Sequence, residues 1–172
     1  MVDIIGVGSQ RDPKALKLFT LRNKNFIENE IPDEDRNPNA LMTARELWAS
    51  IFPEIRSRSL TAMYNCAGMV FAARRTCISN MRDIDLILRD DDYRRLSDEG
   101  LAEVGDLVVY RRIGIPRHVG IVFEKVPDLE AGQQPFHFRI LSQWGDDGEY
   151  LHRLRDVPTI FGDQIEFWSD RK

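Results

Sequence analysis

Asn65-Cys66-Ala67-Gly68 opens an apolar run, Met69-Val70-Phe71-Ala72-Ala73, and places a thiol where a helix should begin. Asn is a favoured N-cap, so the pattern predicts Cys66 in the first turn, beside free backbone amides and the positive end of the helix dipole. That setting favours thiolate. A buried cysteine in an apolar helix serves equally well as a small hydrophobe, so the nucleophile reading depends on a base. Of the three histidines, His118 opens a strand directly behind Gly114-Ile115-Pro116-Arg117, which sets its imidazole at a sheet end. His137 lies inside a strand between Phe136 and Phe138, and His152 in the tail between Leu151 and Arg153. A Cys66–His118 pair would carry out acyl transfer: the imidazole takes the thiol proton, the sulfur attacks an amide carbonyl, and water cleaves the thioester. The Cys66 amide is a natural oxyanion donor, and Tyr64 either adds a hydroxyl there or packs as an aromatic.

The elements that must hold these residues are legible in outline. The cysteine helix is expected to run from Cys66 to about Cys77 or Ser79, with Arg74 and Arg75 suiting its negative end. On one helix, Cys66 and Cys77 would be about 16 Å apart along the axis, beyond disulfide reach. Thr43-Ala44-Arg45-Glu46 has capping-box form and predicts a helix over 43–52, with Trp48 in the core. Asp83 to Leu96 predicts a charged-faced helix, broken near Asp90-Asp91-Asp92; those carboxylates lack the glycine and spaced ligands of a calcium loop and read as a solvated face. Residues 2–8 read as a short strand, 13–19 as a helix and 23–40 as a surface loop. From Gly105 the pattern turns to β: strands over 106–111, 118–124 and 136–144, an antiparallel meander, and a further strand over 164–168. This is an α+β chain with one sheet packed on helices.

The residues resemble a known family. Asn65-Cys66-Ala67-Gly68 before an apolar helix is similar to the Asp-Cys-Ser-Gly motif of the NlpC-type papain-like cysteine peptidases. Gly105-Asp106-Leu107-Val108-Val109-Tyr110, then His118-Val119-Gly120-Ile121-Val122, resembles that family's Gly-Asp-Leu-Val and His-Val-Gly-Ile strands, in the same order. The resemblance covers residues 60–145. It implies a papain-like (NlpC/CHAP-type) fold, with the nucleophile-bearing helix packed on a small antiparallel sheet. It also implies Cys66 as nucleophile, His118 as base and a polar residue on the next strand to orient the ring. CHAP amidases end that strand with a polar residue before an aromatic, which points to Gln143 ahead of Trp144; Ser142, on the other side of the strand, is the second choice. Asn65 and Ala67 replace the family's Asp and Ser, so its carboxylate contact to a free amine has no counterpart. The implied activity is a cysteine peptidase or amidase acting on peptidoglycan peptides or amide links of the bacterial wall. A thioester equally permits an acyltransferase or deamidase. The alternative is a catalytically idle binding module, or a toxin/immunity-type protein with a protein partner.

The rest of the chain bounds these readings. At 172 residues it fits one domain, with 1–42 as an N-terminal extension. With 42% hydrophobic and 30% charged residues and a net charge of −4, it has a globular composition and no basic cluster for nucleic acid. No apolar stretch is long enough for a membrane span, and no basic n-region marks a signal peptide, so a cytoplasmic product or export by a signal-less route is expected. The cysteines and histidines show no metal-ligand spacing, and no cofactor is implied. Gly6-Val7-Gly8 lacks the third glycine of a dinucleotide loop, Arg11 standing in its place. Pocket walls are expected from 23–42, 111–117 and 146–152. Asp146, Asp147 and Glu149 there form either an acidic turn or an amine-recognising patch.

Overall fold

Leu107 to Arg111 is buried on both faces, and the sheet is built outward from it. This computed structural model describes residues 14–127 and 136–171; the strand expected at 2–8 lies outside them. Strands β1 (Asn29–Glu30), β2 (Arg56–Ser59), β3 (Cys77–Ile78), β4 (Arg94–Arg95), β5 (Leu107–Arg112), β6 (Ile115–Pro127), β7 (Phe136–Gln143), β8 (Glu149–Arg153) and β9 (Gln164–Ser169) form two sheets. β1 and β3 pair with each other, and the others lie antiparallel in the order β2-β8-β7-β6-β5-β9-β4. The helices are α1 (Pro38–Ile51), α2 (Cys66–Phe71) and α3 (Asp83–Asp90).

This corrects the expected fold. In place of a helix packed on a small antiparallel sheet, the molecule is mostly one large seven-stranded antiparallel sheet, 33% strand against 23% helix. The meander β5-β6-β7 and the strand β9 fall close to where the sequence placed them, but β6 begins at Ile115 rather than 118, so His118 lies inside the strand opposite Tyr110 instead of opening it at a sheet end; β8, read as tail, extends the ladder from β7.

The two larger apolar cores form on opposite faces, with a smaller cluster of Tyr64, Met69, Leu141 and Leu151. Val109 and Val119, directly paired, pack with Cys66, Ala67, Ile84 and Leu88 under α2 and α3. Tyr110, paired with His118, joins Val108, Ile140, Trp144, Tyr150 and Phe167 on the other face. There α1 closes the core, with Trp48 and Phe52 meeting Trp144 edge-on at 5.3 and 5.7 Å. α1 starts five residues before the apparent capping box because Asn37 caps it, accepting from the Asn39 amide, and Pro38 fills its first position. Residues 14–19 contain no helix.

α2 stops at Phe71 rather than near Cys77. Ala73 and Arg74 take positive φ of 48° and 64°, and the Ala72 and Arg74 amides both return to Gly68 O. The chain doubles back so tightly that a Cβ on Gly68 would lie 1.7 Å from Thr76 O, which only glycine avoids. Cys77 therefore returns beside the start of α2, so the separation expected on a single helix does not apply; both cysteines are free thiols.

Of the three aspartates at the end of α3, Asp90 departs from the expected solvated face, whereas Asp92 is exposed. Asp90 is buried and accepts from Thr20, Asn23 and Asn25, while Asp91 holds the Leu21 amide and Asp92 the Arg22 guanidinium. Burial opposes ionisation of Asp90, but these donors and Arg89 hold its carboxyl below the ordinary range.

Candidate active site

Asn65 does two jobs. Its Oδ1 accepts from the Gly68 amide at 2.9 Å, capping α2, and from the Ile78 amide at 3.1 Å; its Nδ2 donates to Ile78 O at 2.8 Å. The first turn that carries Cys66 is thereby fixed to β3. The Cys66 sulfur faces the backbone amides of Val119, Ala67 and Cys66 itself, but burial outweighs them and pushes the thiol up to about 11. The expected thiolate is thus absent: helix-start polarity is present, and desolvation is the larger effect.

The Val119 contact marks a break in the sheet. β6 and β7 are paired only from Ile121 and Leu141 outward, so His118, Val119 and Gly120 lie beyond the last pair. Val122 exchanges backbone bonds with the β5 side, so by alternation the Val119 amide points towards β7. The sulfur of Cys66 lies on that side, facing the Val119 amide.

His118 sits next to that break but faces the other side of the sheet. Its ring is 1% exposed, lies 5.6 Å from Tyr110, and stacks face to face on Phe161 at 3.9 Å and 4°. Burial, with His152 nearby, holds it well below its ordinary 6.5. No hydrogen bond joins it to Cys66. Gln143, fully buried, donates through Nε2 to Thr61 O at 2.8 Å and Gly145 O at 2.9 Å. His118 Nε2 and Gln143 Oε1 are the buried side-chain polar atoms without a hydrogen-bond partner among the described residues. Cys66, His118 and Gln143 all lie near the end of the β6–β7 ladder, His118 on the face opposite Cys66, and no hydrogen bond joins any two of them.

The other expected residues are committed elsewhere. The Tyr64 hydroxyl donates to Glu149 Oε1 at 2.9 Å, and the Arg74 guanidinium binds the same carboxylate; burial, then Glu149, raises the phenol. Ser142 belongs to the opposite face, where its hydroxyl is 2.8 Å from His152 Nε2 and accepts from Trp144 Nε1 at 3.1 Å. His152 Nδ1 is 2.7 Å from Arg153 O, which can only accept, so Nδ1 carries the proton and Ser142 donates to Nε2. Sequence reasoning missed this pair; the alternation Tyr150-Leu151-His152 behind Gly148 was the available signal for the strand that carries it.

A cavity of about 700 Å3 adjoins the site, walled by Trp48, Trp144, Phe161, Cys77, Asp35 and Asp146 among others. Two expected segments, 23–42 and 146–152, contribute to it; 111–117 does not. Asp147 there is paired with Arg36 and the Trp48 indole, and Glu149 with Tyr64 and Arg74. Among the described residues no cluster of His, Cys, Asp or Glu is arranged to hold a metal ion, and no helix is long and apolar enough to cross a membrane. No protein-family model, no curated protein and no solved structure matches this chain.

Proposed function

We propose that the chain is a cysteine-dependent amide hydrolase whose site is at rest in this structure. One observation carries the reading: an unpartnered imidazole nitrogen and an unpartnered amide oxygen, a complementary donor and acceptor, are buried where the β6–β7 ladder ends, the first on the residue before the Val119 amide that the Cys66 sulfur faces and the second on the last residue of β7. Buried polar atoms are nearly always satisfied, and exceptions concentrate where function requires them. The working arrangement requires the backbone of β6 to turn over at His118, giving up the pairing with Tyr110, so that the ring leaves Phe161 for the face that carries the thiol and Gln143 Oε1 accepts from its other nitrogen. Neutral imidazole takes the thiol proton as sulfur attacks the amide carbon; the oxyanion lies at the Cys66 amide; the leaving amine takes the proton; and water cleaves the thioester. The resemblance to the NlpC-type motifs supports peptidoglycan peptides or amide links as substrate.

A second reading, a binding module without turnover, is favoured by the buried thiol at about 11 with no imidazole bonded to it. The pH dependence of alkylation at Cys66 and Cys77, read by mass spectrometry in the parent and in His118→Ala, separates the two. Hydrolase function requires that Cys66 alkylation slow at least ~10-fold in His118→Ala near neutral pH, and that muropeptide cleavage vanish in Cys66→Ala. A Cys66 rate indifferent to His118, with no turnover by the parent, leaves the binding module.

A further inference from the structure

Phe161 sits on a 3-10 turn (Thr159–Phe161) between β8 and β9. The turn is clamped. Gly162 has φ of 113°, a Cβ on it would lie 2.2 Å from Arg111 O, and the next amide, Asp163, donates to that same carbonyl at 3.1 Å. Phe161 is therefore held against β5 and β6 by backbone. Its ring meets the His118 imidazole at 3.9 Å, nearly parallel, and Trp144 edge-on at 6.0 Å. The same residue walls the 700 Å3 cavity, whereas His118 does not reach it. Next to it, Ile160 is 68% exposed and lines the cavity too.

We propose that Phe161 is a positioning residue for the base: it fixes the plane of the His118 ring in the resting orientation and separates that ring from the cavity, so a molecule in the cavity meets the imidazole across Phe161. The term base rests on the hydrolase reading; the stacking and the partition do not. The aromatic ring holds the imidazole by its face, on the side of the sheet away from the thiol, and leaves Nε2 without a hydrogen-bond partner. It also keeps the ring dry until the site is occupied.

The test reads His118 in the unliganded protein. Histidine-labelled parent, Phe161→Ala and Phe161→Tyr are titrated by NMR and treated with diethyl pyrocarbonate, with modified sites located by mass spectrometry. Tyr110 and His152 are the titratable neighbours, and both stay in place in every variant. In the parent, His118 stays neutral as pH falls through 6.5 and reacts slowly. Phe161→Ala should bring its titration towards 6.5 and raise its modification rate ~10-fold or more, while Phe161→Tyr keeps parental behaviour. A folded Phe161→Ala protein whose His118 titrates and reacts as in the parent overturns the proposal. Phe161→Leu, which keeps the apolar cover and removes the flat partner, replaces it if the alanine variant does not fold; here several His118 ring orientations in place of one support the proposal, and a single parental one overturns it. None of these readings requires turnover, so the outcome stands apart from that of Cys66→Ala on muropeptides.

Discussion

His152 is neutral because burial disfavours its charged form; its ring nitrogens are both bonded, Nδ1 to the Arg153 carbonyl and Nε2 to the Ser142 hydroxyl. Burial, with Arg139 nearby, brings its pKa to about 4, against some help from the Arg153 carbonyl. The folded chain therefore refuses a proton that the unfolded chain accepts from about pH 6.5 downward. Stability from this group is full above 6.5 and is lost progressively as pH falls to about 4, where both states are protonated. The fall from 6.5 to about 4 corresponds to roughly 3 kcal/mol. His118, also held low, acts in the same direction, whereas Asp90 and Asp106, held below 3.8, act only at lower pH. Urea unfolding at pH 7 and pH 4 should show the loss in the parent and a smaller loss in His152→Asn. An equal loss in both would remove His152 from the account.

At the scale of elements, α2 is set by its contacts more than by its propensity. Gly68→Ala should lower stability by ~1–3 kcal/mol or more, because its Cβ meets a backbone carbonyl that has no rotamer to change. Melting temperature and Cys66 alkylation should both shift, since displacing the helix moves the thiol off the Val119 amide. Asp90→Ala leaves the Thr20, Asn23 and Asn25 donors without their acceptor and should cost about 1–3 kcal/mol. Hydrogen exchange over residues 20–25 should rise, and unchanged protection there would show that the loop holds itself. These elements also mark what could be read from the sequence. β5, β6, β7 and β9 were legible because Val, Ile, Tyr and Phe cluster between turn residues, and the start of α2 because Asn65 is a strong cap. Its end was not: Ala72-Ala73 is good helix sequence, and only the close pass of Thr76 over Gly68 stops it. Two-residue strands such as β1, β3 and β4 carry no periodicity, and β8 was hidden by its brevity. At the site, the meeting of Cys66 with the Val119 amide depends on β6 leaving β7, a property of ladder length invisible in local pattern. The face on which His118 lies follows from pairing with Tyr110, which alternation alone does not assign to either core.

Across the whole molecule, the sheet has two outer strands, β2 and β4, and arginine occupies both. β2 reads Arg56-Ser57-Arg58-Ser59 with a register shift against β8, and β4 is the pair Arg94-Arg95, with Arg95 tied to Glu166 at 3.2 Å. Short, irregular, charged edges resist strand-to-strand association. Replacing Arg56 and Arg58 together by valine should therefore produce concentration-dependent self-association by sedimentation velocity, with secondary structure unchanged. A monomer at every concentration would assign the protection to the register shift alone. The same edges constrain recognition. An extended peptide gains most of its affinity by adding to a sheet through its backbone, which makes binding tolerant of sequence. With arginines at both ends and an irregular ladder at β2, edge pairing is disfavoured and recognition falls to side chains and shape.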